Sequence, residues 1–218
     1  MIHAIAISEV SVSKVHTIDL IKYGVCEDKH LETLQSMSED DKDYLRSFIP
    51  MIEEPPLNSS QTTRSEIEYL FSIQQSKRQV LEEQIIAIDQ DLTIPFVELC
   101  KSLEIDPLFS DMSVVLDKGQ RIALFYKAYF NRARPFQLSL YVNKGFAPMA
   151  SISAWTPSYP SGHTIQAEML CTMYTLRYPQ YAEQFQMVSD FISFSRLVGG
   201  FHFESDIDVA QQIVKSLQ

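Results

Sequence analysis

Apolar residues recur at three- and four-residue spacing through most of this chain, the period of helices that bury one face. Ile67, Leu70, Phe71, Ile73, Val80, Leu81, Ile85 and Ile88 trace one stripe and predict a long helix ending near Gln90. Thr63 and Glu66 make a capping-box pattern at its start. Further helices are predicted over about 95–103 and 112–130, and a short polar one over 40–48 before Pro50. Ile165, Met169, Met173 and Leu176 then run from a start at Ser161-Gly162 to a stop at Tyr178-Pro179. Phe185, Val188 and Ile192 mark a helix from about residue 181, and Val209, Ile213 and Leu217 a last one opened by Asp206. Glu53-Glu54-Pro55-Pro56 followed by Asn58-Ser59-Ser60 reads as a linker or extended arm. Strand signals are few, so the expected fold is an all-α helical bundle. One domain is expected over 1–218, with a core of about 62–218 and residues 1–56 as a cap or arm.

Composition narrows the class. With 218 residues, 45% hydrophobic and 21% charged, the chain has the profile of an ordinary globular protein with one sizeable core. A formal net charge of −10 argues against nucleic acid and gives no attraction to anionic lipid. No run of about 18 or more apolar residues predicts a membrane span. The apolar start Met1-Ile2-His3-Ala4-Ile5-Ala6-Ile7 lacks a basic region and soon meets Ser8-Glu9, so the expectation is a cytoplasmic or otherwise soluble protein. Cys26, Cys100 and Cys171 are odd in number and far apart, and read as buried thiols rather than a disulfide framework or metal site.

The candidate chemistry lies in the last half. Lys127 is followed after six residues by Arg134-Pro135, then come Pro160-Ser161-Gly162-His163, and then Ser195-Arg196 with His202 and Asp206 behind. Lys127, Arg134 and Arg196 offer fixed positive charge to a tetrahedral anion, the arginines as planar forks that bond two oxygens at once. Ser161-Gly162-His163 at a helix start adds unpaired N–H groups and the positive end of the helix dipole. His163 and His202 are groups that change charge near neutral pH. A nucleophilic imidazole must be neutral and an acid imidazole protonated, so such a pair needs opposite states in one turnover. Asp206, one turn after His202 if that segment is helical, reaches back to it. Gly199-Gly200 supplies the turn that swings His202 toward Arg196.

These three patterns, in this order, resemble the signature of the type-2 phosphatidic acid phosphatase and vanadium haloperoxidase superfamily, K-x6-RP, PSGH and SR-x5-H-x3-D. Every motif position is filled, and Gly200 also stands where that family usually has glycine. The resemblance implies a helical core and a phosphohistidine mechanism. In it His202 is the nucleophile, Asp206 orients it, and His163 protonates the leaving group and later activates water. Lys127, Arg134, Ser161, Gly162 and Arg196 would hold the phosphate oxygens. No metal and no cofactor enter that scheme.

The function expected is a metal-independent, acid-phosphatase-like phosphatase acting on soluble phosphomonoesters, with a small-molecule phosphate ester as partner. Two alternatives use the same residues: a haloperoxidase holding vanadate on His202, and a non-catalytic phosphate-binding protein. The substrate, the oligomeric state and the role of residues 1–56 are left open by the sequence. Outside the motifs, His3, His16 and His30 read as surface or satisfied core residues, and Arg132, beside Arg134, as a solvated charge at a helix end ahead of a second phosphate or substrate contact. Glu204 and Asp208 read as charges suited to a helix N-terminus.

Overall fold

The structure, a computed structural model, describes residues 17–25, 27–142 and 145–217. His3, His16 and Cys26 lie outside them. Among the described residues there is no β-strand, only an isolated bridge between Lys22 and Arg132. The helices are α1 (Asp28–Ser36), α2 (Glu39–Phe48), α3 (Gln61–Gln90), α4 (Ile94–Ser102), α5 (Phe109–Phe130), α6 (Pro135–Ser139), α7 (Gly162–Arg177), α8 (Ala182–Val198) and α9 (Glu204–Ser216). The all-α expectation holds, and no helix among the described residues is long and apolar enough to cross a membrane.

Helix α7 is the central element, packed against α5, α8 and α9, while α3 crosses α8. One part of the core stacks Phe96, Tyr174 and Phe185, joining α4, α7 and α8. Another sets Ile122, Ala123 and Tyr126 of α5 against Val209 and Ile213 of α9, with Met37 and Leu45 from the N-terminal region. Cys100 and Cys171 are buried free thiols, as expected. Along α3 the stripe buries Ile67, Leu70, Ile85 and Ile88, whereas Val80 is exposed.

One helix start differs from its expected place. Ser60, not Thr63, is the N-cap of α3, accepting from the Thr63 N–H at 3.1 Å. Glu66 is thereby released from capping and lies buried against the third motif. Helices α1 and α6 were absent from the periodicity, since α1 buries no residue fully and α6 has only five.

The N-terminal segment is tied to the first motif. Asn131 ends α5 in the left-handed conformation (φ 47). Its side chain both accepts from the Gly24 N–H and donates to the Gly24 carbonyl, each at 3.2 Å. The Tyr23 carbonyl accepts from Gln137 Nε2 at 3.3 Å. From these ties the chain proceeds to α1, which packs on α5.

Candidate active site

Three helix ends and two loops converge on one cavity of about 160 Å³, lined by Lys127, Arg134, Gly162, His163 and His202 among others. Lys127 stands in the last turn of α5, and its ammonium donates to the Pro157 and Ser158 carbonyls. The chain leaves α5 at Asn131, three residues before the pre-proline position, and runs extended through Arg134 (φ −78, ψ 158) until Pro135 opens α6. That path buries the Arg134 side chain, which donates to the Thr156 carbonyl at 2.8 Å and the Phe201 carbonyl at 2.7 Å. Burial lowers Arg134 to about 10, which leaves it charged at neutral pH.

His202 lies in the loop after α8, placed by the Gly199-Gly200 turn. Gly200 adopts φ +75, and a Cβ there would meet Gln74 Nε2 at 2.5 Å and Phe146 Cζ at 2.6 Å, so glycine is required. His202 and Asp206 do not share a helix. Asp206 is the third residue of α9, where its Oδ2 accepts the N–H of Phe203 at 2.9 Å and His202 Nδ1 at 3.0 Å. The carboxylate that closes the helix end therefore also orients the imidazole.

The hydrogen-bond network sets the tautomer. A carboxylate only accepts, so Nδ1 carries the proton. A guanidinium only donates, so the Arg134 Nη1 contact at 3.1 Å is made to an unprotonated Nε2. Burial, then Arg134, hold His202 well below the ordinary histidine range, against the opposing hydrogen bond that it donates to Asp206. Asp206 itself is held below the carboxylate range: burial pushes it up, but Arg132 and the bonds from His202 and Ser158 outweigh that.

Arg132 departs from its expected role. It is 3% exposed and reaches Asp206 Oδ1 at 2.6 Å, Glu66 Oε2 at 3.2 Å and Ser205 Oγ at 2.7 Å. Its guanidinium lies 4.0 Å from the centroid of the Phe203 ring. Glu66 also accepts the Ser205 N–H at 2.7 Å. The arginine is drawn inward because Asp206, dehydrated behind His202, needs a countercharge.

At the start of α7, Ser161 is the N-cap, accepting from the Thr164 N–H at 3.3 Å. Its own N–H is taken by the Asp206 carbonyl at 2.9 Å, so it is not aimed at the pocket. Gly162 and His163 line the cavity; Ser161 lies beneath it. Burial, then Arg196, lower His163 well below the usual histidine value, with Asp89 and a backbone hydrogen bond at Ile88 opposing.

Arg196 is also set back from the cavity. It pairs with Asp89 at the end of α3 and touches Ser153 Oγ at 3.4 Å, and Ser153 lines the cavity. Its Nε and Nη1 are buried without a hydrogen-bond partner among the described residues, donors of the kind an oxyanion satisfies. Asp89 accepts from Ser151 Oγ at 2.8 Å, the Ile152 N–H at 2.7 Å and Ser153 Oγ at 2.6 Å. Burial raises its pKa, yet Arg196 and these donors bring it to about 2.

Sequence reasoning thus missed Asp89, Arg132, Ser153, Thr156 and His30 at this site. His30, on α1, lines the same cavity. For Arg132 the signal was its place inside the first motif; the others sit outside any motif, and only the fold brings them in.

Residues 112–210, which contain all three motifs, match the model of the PAP2 superfamily. The resemblance carried by the three motifs is thus matched over the residues that hold them. A lipid A 1-phosphatase of Rhizobium johnstonii is 30% identical over 86 residues, 39% of this chain and 35% of that protein, so the chain spans about a third of that relative's length. The crystal structure of a transmembrane PAP2-type phosphatidylglycerolphosphate phosphatase from Bacillus subtilis aligns over 86% of this chain and 91% of its own. The identity is 16% and the TM-score 0.32, a likeness that carries no inference here.

Proposed function

We propose, on the premise that residues 112–210 make a PAP2 superfamily domain, that this chain is a metal-independent phosphoric monoester hydrolase of the acid-phosphatase kind acting on soluble esters. The observation that carries the reading is the state of His202. It is neutral, with Nδ1–H fixed on Asp206 and Nε2 accepting from Arg134 at the edge of the cavity that His163 and Lys127 also line.

In the reaction the phosphoryl oxygens take over the donors of Arg134, which frees Nε2. Arg196 Nε and Nη1 and the N–H groups opening α7 add to the clamp, in place of a metal. Nε2 attacks phosphorus in line, the P–O bond to the leaving group breaks, and His163 gives its proton to the departing alkoxide. Neutral His163 then takes a proton from water. The hydroxide attacks phosphorus, the P–N bond breaks, and phosphate leaves with Nε2 restored and Nδ1–H still on Asp206. Since His163 is neutral in the empty pocket, the anionic substrate must supply or stabilise its proton.

The purified protein should hydrolyse an aryl phosphate in excess chelator and be inhibited by vanadate and phosphate. Rapid-quench labelling with peptide mass spectrometry should place the phosphoryl group on His202. A label on His163 or Ser161, or no covalent intermediate, would reject the mechanism. Halide oxidation after vanadate loading would favour the haloperoxidase alternative, and phosphate binding without turnover the non-catalytic one.

A second reading, a lipid phosphate ester, is favoured by a cavity of about 270 Å³ on the other side of Arg134, lined by Phe136, Met149, Trp155 and Phe201 among others. The name of the Rhizobium relative points the same way. Turnover of phosphatidic acid in detergent above that of water-soluble esters would decide for it.

A further inference from the structure

His30 is the described histidine outside the motifs, and the fold brings it to the cavity of His163 and His202. Its Nδ1 is buried and has no hydrogen-bond partner among the described residues, an uncommon state for an imidazole nitrogen. It does not get there by chance collapse of a loose end. The Gly24–Asn131 and Tyr23–Gln137 bonds fasten the chain on both sides of Arg134, and Leu34 and Met37 seat α1 against Ile122, Ala123 and Tyr126. Arg121 adds a bond to Ser36 at 3.2 Å.

The rest of the cavity wall shows what such a group would meet. Lys127, Arg134, Gly162, His163 and His202 serve the phosphoryl group. Gln120, Gln166, Ser153 and Thr156 add polar side chains to the lining and Ala123 and Leu124 apolar ones, and Ser153, Thr156 and Gln166 already have partners in Asp89, Arg134 and the Leu116 carbonyl. An alkyl leaving group pressed against His30 would leave its buried Nδ1 unpaired, whereas a hydroxylated one would pair it.

We propose that His30 is a specificity-determining residue of this pocket, which hydrogen-bonds a hydroxyl on the leaving group and so selects phosphate monoesters of small polyols. The proposal rests on the phosphatase reading above. Burial, Lys29 and Lys127 hold His30 below the ordinary histidine range against Glu27, so near neutrality it is an uncharged ring with one donor and one acceptor nitrogen. Such a ring recognises a hydroxyl, not the phosphoryl charge.

The test compares glycerol 3-phosphate with phenyl phosphate, and inorganic phosphate as inhibitor, in the wild type, His30→Ala, His30→Gln and the exposed control Glu32→Ala. His30→Ala should lose about 3- to 10-fold in kcat/KM for glycerol 3-phosphate, the worth of one neutral hydrogen bond, chiefly in KM. Phenyl phosphate turnover and phosphate inhibition should stay within about twofold, because neither ligand carries an alcohol hydroxyl for the ring to bond. His30→Gln, which keeps a donor and an acceptor, should recover part of the loss, and it also serves if the alanine variant does not fold. Equal losses on both esters with weakened phosphate inhibition, or no loss at all, would overturn the proposal. If the wild type turns over neither ester, the phosphatase reading fails by itself. Calorimetry then still decides the His30 contact: glycerol 3-phosphate should bind more tightly than phosphate to the wild type and lose that margin in His30→Ala, and equal binding to both proteins would overturn it.

Discussion

At the scale of single residues, the site depends on one carboxylate with four duties. Asp206 closes the start of α9, holds Nδ1 of His202, accepts from Ser158 and pairs with Arg132. Arg132→Gln should therefore slow the reaction although Arg132 touches no substrate. Without that countercharge Asp206 protonates at higher pH, so the acid limb of kcat should move upward, and the protein should lose about 3–5 kcal/mol as expected for a broken buried pair. An acid limb that stays in place would show that Arg132 serves the fold alone. The two histidines carry a second prediction. Both titrate below the usual value in the empty pocket, His163 first because of burial and then Arg196, so kcat/KM should decline on the alkaline side already below neutrality. Bound phosphate dianion favours protonated His163, so the alkaline limb of kcat should lie at higher pH than that of kcat/KM. Coincident limbs would remove His163 as general acid.

At the scale of elements, the catalytic groups stand where helices start and stop. The N-terminus of α7 presents Gly162 and His163, the last turn of α5 presents Lys127, and the end of α3 contributes Asp89. The turn from α8 to His202 tolerates no side chain at Gly200. Gly200→Ala combines a left-handed backbone with contacts at 2.5 and 2.6 Å, and should destabilise by about 2 kcal/mol or more in a urea titration while displacing His202 and lowering activity. A variant with wild-type midpoint and rate would show that the turn relaxes freely. The motif helices were legible because each has a periodic stripe and a stop signal, such as Tyr178-Pro179. Helix α1 was not, since it is short and amphipathic over a surface that only α5 provides. The loop at 151–156 was not either, because its conformation depends on the donors it gives to Asp89 and on the bond its Thr156 carbonyl accepts from Arg134, partners far away in the chain.

At the scale of the whole molecule, a chain of net charge −10 buries a cluster of cations, and the buried carboxylates Glu66, Asp89 and Asp206 offset them. Acid should unfold it from the inside. His163 and His202 have folded pKa values below the ordinary histidine value of 6.5, so the unfolded chain binds more protons and stability falls as pH drops below about 6.5. Asp89 and Asp206 are also lowered, so their contribution is lost only at still lower pH, below the usual carboxylate value of 3.8. Thermal melts from neutral pH downward should show this decline, shallower in a His163→Asn, His202→Asn double variant and partly reversed by phosphate. A melting temperature flat between neutral pH and about pH 5 would contradict burial of the two rings.

The sequence by itself determined the all-α class, most helix boundaries and the motif residues, because helical periodicity and motif spacing are local properties of the chain. It also determined that His202 and Asp206 belong together, four residues apart, though not that a helix start rather than a shared helix joins them. Only the tertiary structure decided that Arg132 turns inward to Asp206, that Asp89 holds Arg196, that Ser161 spends its N–H on the Asp206 carbonyl, and that His30 reaches the cavity. Each of these links residues dozens of positions apart. For the first three the physical reason is that a polar group removed from water must find a partner, and which partner lies within reach is set by how the helices pack; His30 is carried to the cavity by the apolar packing of α1 on α5.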